Sequence, residues 1–442
     1  MATRLFFVER LHSGQAEIAG AGPVAVRRAR RRYNQTMMDV SRREFLGAAG
    51  AAVLTAKSYA QVKNAAGRLR IGVIGCGGMA NSHMRALVKM REAENLDIVA
   101  VCDLYDKRAE EASQLTGGKI YKNYHQLLAN KDIDYVLIAT PEHWHFQMAM
   151  DALDSGKHVY VEKPMTHAIE ESKKLVARVK KTGLKLQVGV QGMSDESYQE
   201  ANKYVKDGAL GKIVLAQIDY SRNHTADMWD YAIDPDAKPG VNLDWITWQG
   251  KTKKRQWDPY RYFRWRLYWD YSGGIASDLY IHRVTRIIKA CGLTFPEYVA
   301  ATGGRFQFTD GKGEVPDTFN VLLDYPGGPT VQLISSMAND TAVQHLMRGH
   351  KATLEFTRTG FEIRPQRDFA KEAKPATFKK KGAEDVSLHH KNLQAAIRRN
   401  APLNCDSMLG YYGVVACDMA VDSFRRRKYL RWDKAKERAV GA

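Results

Sequence analysis

The spacing of apolar residues along this chain changes several times, and the changes divide it. Between residues 68 and 190, short unbroken apolar runs alternate with stretches whose apolar positions recur every three or four residues. The runs Arg70–Ile74, Asp97–Cys102, Tyr135–Ala139, His158–Val161 and Lys185–Val190 predict strands covered on both faces. Between them, a segment with Met84, Leu87 and Val88 on one stripe, then His143–Ser155 and Ile169–Thr182, predict helices. Such alternation predicts an α/β unit with a doubly wound parallel sheet. After residue 190 the pattern shifts to β-rich runs separated by Gly/Pro turns: Ile213–Tyr220, Tyr298–Phe308, Thr318–Tyr325, Thr330–Ser336 and Ala352–Thr357. A helix is expected from Ile275 to Ala290, stopped by Gly292, with Ile281, Val284 and Ile288 on one stripe. The expected globular parts are 61–190 and 191–442, in keeping with a 442-residue chain too long for one ordinary core.

The first strand runs into Gly75-Cys76-Gly77-Gly78-Met79-Ala80, the spacing G-x-G-x-x-A between a strand and a helix. Glycines there permit a tight turn and close approach of the backbone to a pyrophosphate seated on the helix N-terminus. Asp103, at the end of the second strand and 26 residues beyond Gly77, is placed to accept hydrogen bonds from a ribose and to repel a 2′-phosphate. The preferred cofactor is therefore NAD(H), with NADP(H) still possible. Asp103 also suits a strand-end cap or turn.

Charge adds less than its size suggests. The net charge is +18, and residues 1–60, with ten basic and four acidic side chains, carry +6 of it. The rest remains basic, partly through Lys379–Lys381 and Arg425–Lys428, but no nucleic-acid motif accompanies it, so neither nucleic-acid nor polyanion binding is expected. The five cysteines (Cys76, Cys102, Cys291, Cys405, Cys417) form no CxxC pair and predict neither a metal site nor disulfides. Ser41-Arg42-Arg43-Glu44-Phe45-Leu46, the moderately apolar run Gly47–Leu54 and Ser58-Tyr59-Ala60 look like a twin-arginine export signal over 38–60. That predicts contact with the twin-arginine export machinery, a periplasmic or otherwise exported protein, and no stable membrane insertion, since Phe45–Ala56 is too short to span a bilayer. Residues 1–37 are Arg- and Ala-rich and unpatterned, as expected of a stretch upstream of the true start at Met37 or Met38.

Two further segments, Ala139-Thr140-Pro141-Glu142-His143-Trp144-His145 and Gly156 through Glu162-Lys163-Pro164, closely resemble the Gfo/Idh/MocA family. That family includes glucose–fructose oxidoreductase, inositol dehydrogenases and many sugar dehydrogenases. The resemblance continues through Asp207–Ile213, Ser272–Asp278 with His282, and His390–Ile397. It implies an N-terminal Rossmann domain and a C-terminal α+β domain with a large, open, mostly antiparallel sheet. One face of that sheet covers the active site, and the other commonly forms the interface of a homo-oligomer, here a dimer or tetramer.

Oxidising a sugar alcohol by hydride transfer from its carbinol carbon needs a base for the hydroxyl proton and a group that stabilises the developing oxyanion. Lys163 follows a parallel strand, at the sheet edge where ligands bind in such folds, and the resemblance makes it a catalytic or substrate-orienting residue. Asp278 and His282 lie four apart on one helical stripe, so the carboxylate is expected to orient the imidazole. The same D-x-x-x-H pair in inositol-dehydrogenase-like members implies His282 as general acid/base, with Asp278 as substrate ligand or orienter. Thr140, Pro141 and His145 are expected on the nicotinamide side, Glu162 on the ribose side and Gln191 near the cofactor amide. Arg266, Trp269 and Tyr271 are expected substrate contacts, because aromatic faces and guanidinium forks suit sugar rings. The expected function is NAD(P)-dependent oxidation of a carbohydrate or glycoside hydroxyl with tightly held cofactor. The alternative is an NAD-dependent glycosidase working by transient oxidation at C3 and elimination. Intact glycines and polar site residues speak against a purely binding or scaffold role.

Overall fold

The computed structural model describes residues 67–382 and 385–442; the upstream segment 1–37 and the expected export signal 38–60 lie outside them. Six strands, β1 Leu69–Ile74, β2 Leu96–Cys102, β3 Lys119–Tyr121, β4 Tyr135–Ile138, β5 His158–Glu162 and β6 Leu186–Gly189, form a parallel sheet in the order 3-2-1-4-5-6. Helices α1 Gly78–Lys89, α2 Asp106–Thr116, α3 Tyr124–Ala129, α4 Glu142–Asp154 and α5 Ile169–Thr182 accompany it. The unbroken apolar strands follow from burial of both faces: Leu69, Ile71 and Val73 enter one apolar cluster, Val136, Ile138 and Val159 the other. The order reverses between β1 and β4, so their carboxyl ends open a crevice there.

The second sheet is mixed and has ten strands: β7 Ile213–Asp219, β8 Tyr298–Gly304, β9 Thr318–Asp324, β10 Thr330–Ser336, β11 His345–Gly349, β12 Ala352–Thr357, β13 Gly360–Pro365, β14 Ala376–Lys379, β15 Leu430–Asp433 and β16 Arg438–Gly441. Their order is 14-13-12-11-7-10-9-8-15-16, antiparallel except for the parallel pair β7–β10. One face is core: Phe319, Val321, Leu323, Val331 and Leu333 are buried, while their neighbours in sequence face outward. The second part also holds α6 Glu196–Lys206, α7 Trp245–Trp248, α8 Pro259–Phe263, α9 Ile281–Cys291, α10 Val386–Arg399 and α11 Ser407–Arg426.

Two features depart from expectation. The helix foreseen from Ile275 begins as a π-helical turn, Ala276–Tyr280, before α9 takes over. The C-terminal helices also do not stay with the second sheet. Leu393 and Ile397 of α10 join the apolar cluster of β1 and α1, and the Cys405 carbonyl accepts a bond from Val188 N (2.9 Å) on β6. The chain crosses from one sheet to the other and back.

Candidate functional site

A cavity of about 840 Å³ runs from the glycine loop to the π-helical turn. At its cofactor end the loop is fixed by backbone bonds: Gly75 N donates to Cys102 O (2.8 Å) and Cys76 N to Asp103 Oδ2 (2.7 Å). Gly75 has φ +83°, and a Cβ there would meet Thr140 Cγ2 at 2.8 Å, so only glycine permits this turn. Gly78 faces open space, and the first N–H groups of α1 lack helical partners, which makes this end an anion cradle. A dinucleotide fits here. Gly75, Gly77, Gly78, Met79, Asp103, Thr140, Pro141, Glu162, Lys163 and Gln191 all line the cavity. Asp103 takes the expected strand-end turn role, its second oxygen accepting from Tyr105 N (2.8 Å), and it also borders the cavity.

At the other end the arrangement is built around Asp278. Its Oδ1 accepts from Lys163 Nζ (2.6 Å) and Arg266 Nε (2.9 Å), and its Oδ2 from Trp229 Nε1 (3.0 Å). Burial opposes ionisation, but Arg266 and Lys163 outweigh it and hold this carboxyl well below the usual carboxylate range. Lys163 Nζ also donates to the Asp278 carbonyl (2.9 Å). An ammonium has three N–H groups, so one remains for the cavity. Trp229 is held at φ +48°, a costly conformation for a bulky residue that turns its indole onto Asp278.

His282 lines the same cavity, but no hydrogen bond joins it to Asp278 among the described residues. This corrects the expected pair: both Asp278 oxygens accept from other donors, Lys163 and Arg266 on one and Trp229 on the other. Burial, then the nearby Lys163 and Arg286 cations, keeps the His282 pKa well below its ordinary value, so the ring is neutral. A neutral ring offers a lone pair to a departing proton.

Three other expectations are corrected by placement. His145 does not line the cavity; its Nδ1 lies 2.6 Å from Pro164 O and its Nε2 2.8 Å from Thr140 O, so it straps the loops after β4 and β5 together. Tyr271 is fully buried against Trp248 and His143. Trp269 packs between Phe424 and the Arg425 guanidinium. Of the three expected substrate contacts, Arg266 lines the cavity.

Sequence reasoning missed several participants. Glu142 is buried and accepts from Ser272 Oγ (2.7 Å), Ser277 Oγ (2.8 Å) and Gly273 N (3.1 Å), so it anchors the turn that precedes Asp278. His83 is another: its Nε2 lies 2.8 Å from Glu162 and helps hold that buried carboxyl ionised, with Gln191 Nε2 (2.6 Å) on the same oxygen. The segment from Arg222 to Arg266 contributes Tyr231, Trp248, Tyr262, Phe263 and Trp265 to the lining. Its crossing to the first sheet is fixed by Asp244 N to Leu104 O (3.0 Å) and Asp106 N to Asn242 O (2.9 Å). Its density of Trp and Tyr was the available signal, but it has no period that says which faces inward.

Comparison with known proteins agrees with this geometry. Residues 69–190 match the family model described as oxidoreductase family, NAD-binding Rossmann fold, and residues 247–355 match the GFO/IDH/MocA C-terminal domain. A scyllo-inositol 2-dehydrogenase (NAD(+)) of Bacillus subtilis is 34% identical over 146 residues, 33% of this chain and 42% of that protein. An inositol 2-dehydrogenase of Rubrobacter xylanophilus is 28% identical over 187 residues, 40% of this chain and 48% of that protein. The chain thus spans under half the length of these curated relatives. Two solved structures share the fold: the WlbA dehydrogenase from Bordetella pertussis with NADH and UDP-GlcNAcA (TM-score 0.64, 20% identity, covering 83% of this chain and 99% of that one) and levoglucosan dehydrogenase with NADH and L-sorbose (0.67, 18%, 84% and 100%).

Proposed function

The chain belongs to the Gfo/Idh/MocA family of oxidoreductases, and from that premise we propose that it is an NAD-dependent dehydrogenase of a sugar or cyclitol hydroxyl. The observation that carries the reading is the shared cavity: Lys163, from the end of the Rossmann sheet, and His282, from the second part, face the same space as the glycine loop. NAD⁺, when bound, supplies the hydride acceptor. The α1 N-terminus receives the pyrophosphate, Asp103 the adenosine ribose, and Glu162 and Gln191 the nicotinamide half. Lys163 gives its third N–H to the reacting oxygen and, as a fixed cation, stabilises negative charge developing there. His282 takes the hydroxyl proton. Asp278 acts through Lys163 and Arg266, holding both cations toward the substrate.

The segment from Arg222 to Arg266 roofs the cofactor end, and this supports slow cofactor exchange. A retained cofactor suits an exported enzyme, which residues 38–60 favour on sequence grounds, because free dinucleotide is scarce outside the cytoplasm. On the outward face of the second sheet Leu322 is 48% exposed, which supports assembly through that face.

The test is to purify the protein without added nucleotide, denature it and identify what is released by absorbance and mass spectrometry. The protein should then be assayed on sugars, cyclitols and chromogenic glycosides. Released NAD(H), or tight NAD(H) binding in titration, with reduction by a sugar alcohol supports the proposal. Failure to hold NAD(H) or NADP(H) at all would remove it. Glycoside cleavage without net NADH would replace it by the glycosidase reading.

A further inference from the structure

Charges at the substrate end of the cavity do not cancel. Lys163 and Arg266 share the single carboxylate of Asp278. Two further carboxylates stand nearby: Glu162 is engaged by His83 and Gln191 on the cofactor side, and Glu142, whose pKa burial raises, is taken up by Ser272, Gly273 and Ser277. Arg222 borders the same cavity, and among the described residues its guanidinium has no acidic partner; it lies over the Tyr220 ring, 5.6 Å from the centroid. Tyr220 in turn lies 6.1 Å from the His282 ring, so this guanidinium stands beside the proposed proton acceptor. Asp219, close in sequence, is unavailable: its oxygens accept from Ser221 N (3.0 Å) and Val343 N (3.2 Å).

The position of Arg222 is fixed from behind. It lies three residues beyond the end of β7, where its N–H donates to Ser336 O (2.8 Å), and Ser336 N donates to Ser221 Oγ (3.2 Å). With the backbone fixed there, the guanidinium offers two parallel N–H groups in a planar fork, the shape that matches a carboxylate or phosphate. Inside a cavity closed by substrate, an uncompensated cation is weakly solvated, and a neutral polyol does not restore the balance.

Resting on the dehydrogenase reading above, we propose that the substrate is an acidic sugar, carrying a carboxylate or phosphate near the reacting hydroxyl, and that Arg222 receives that group in a bidentate pair. Arg222 is then the residue that sets substrate class, while Lys163 and His282 act on the hydroxyl.

The test is calorimetric titration of the NAD⁺-loaded protein with D-glucose, myo-inositol, D-glucuronate, D-galacturonate and D-glucose 6-phosphate, with turnover measured in parallel. The expected result is that at least one acidic sugar binds ten or more times tighter than the neutral ones, with the uronates and the phosphate distinguishing the two anion types. Arg222→Met should erase that ratio, Arg222→Lys should keep part of it, and NAD⁺ affinity should stay within twofold in both. Equal binding of neutral and acidic sugars, no binding of any, equal weakening of both classes by Arg222→Met, or loss of NAD⁺ affinity in that variant would each overturn the proposal. Selective binding of an acidic sugar with no oxidation of any sugar would leave Arg222 as an anion site and defeat the dehydrogenase reading instead.

Discussion

Lys163 spends two of its three N–H groups on Asp278, through the carboxylate and the carbonyl, and this fixes where the third points. Lys163→Met keeps the length of the side chain and removes every donor. Activity on the best sugar of the panel is expected to fall about 10²–10⁴-fold, in the range seen when an oxyanion donor or acid/base group is lost. Steady-state rates alongside an NAD⁺ titration check this, because a fall explained by cofactor loss alone would contradict it. Asp103 makes a second prediction. Its carboxylate borders the cofactor end while Arg108, which has no carboxylate partner among the described residues and lies over Tyr262 with Cζ 5.3 Å from the centroid, lines the same region. Asp103→Ser should therefore shift the NADP⁺/NAD⁺ affinity ratio toward NADP⁺ by at least tenfold, since it removes repulsion of the 2′-phosphate and leaves a cation at hand; an unchanged ratio in paired titrations would defeat it. Residues announced by a local motif, such as Gly75, Asp103 and Lys163, were legible in the sequence. Trp229 was not, because its bond to Asp278 joins positions 49 apart through a backbone conformation that no pattern encodes.

Helices and turns carry the next set of constraints. The sequence foretold a helix near Asp278 but not its π-helical start, because apolar periodicity registers the stripe and is blind to one widened turn. That turn is anchored from α4 by Glu142, whose two oxygens take three donors from residues 272–277. Glu142→Ala would leave those donors buried without partners and is expected to cost about 2–4 kcal/mol, read as a lower denaturation midpoint. A separate pH effect belongs to the contact between α11 and α5. Asp418 accepts from Ile169 N (3.3 Å) at the start of α5, and burial, then Asp422, raises its pKa to about 7. An acid whose folded pKa is raised keeps its proton in the fold while the unfolded chain ionises near its ordinary value. Stability from this group is therefore present at about pH 4 and is lost as the pH climbs to about 7. Asp418→Asn should be more stable than the parent at pH 8, by about 1–2 kcal/mol given the residue's partial exposure, and nearly equal at pH 4. Melting curves at the two pH values decide it; a deficit at pH 8 would contradict the sign.

The molecule as a whole reads as two sheets whose connection was only partly legible. The doubly wound parallel sheet follows from the alternation of buried strands and amphipathic helices, each of which is a local signal, whereas the short strand β3 and the strand order were not read. The return of α10 onto β1 and α1, and the crossing of residues 222–266 over the cofactor end, were not legible, because both depend on contacts between segments far apart in sequence. That crossing has a kinetic consequence. Tyr262 is buried, borders the cavity, packs at a tilt against Trp248 and Trp257 (5.2 and 5.7 Å between centroids) and lies under the Arg108 guanidinium. A dinucleotide entering or leaving must pass a roof whose rigidity rests on these rings, and whose two backbone ties to Leu104 and Asp106 hold it against the first sheet. Tyr262→Ala keeps the ties and removes the keystone of these rings. It should therefore accelerate NAD(H) release at least tenfold with a smaller change in sugar KM, because Lys163, Asp278 and His282 lie at the other end of the cavity. Stopped-flow displacement of bound NADH, followed by its fluorescence, measures that rate directly. A roof that only packs would leave the release rate unchanged while the melting temperature fell, and that outcome would separate stability from retention.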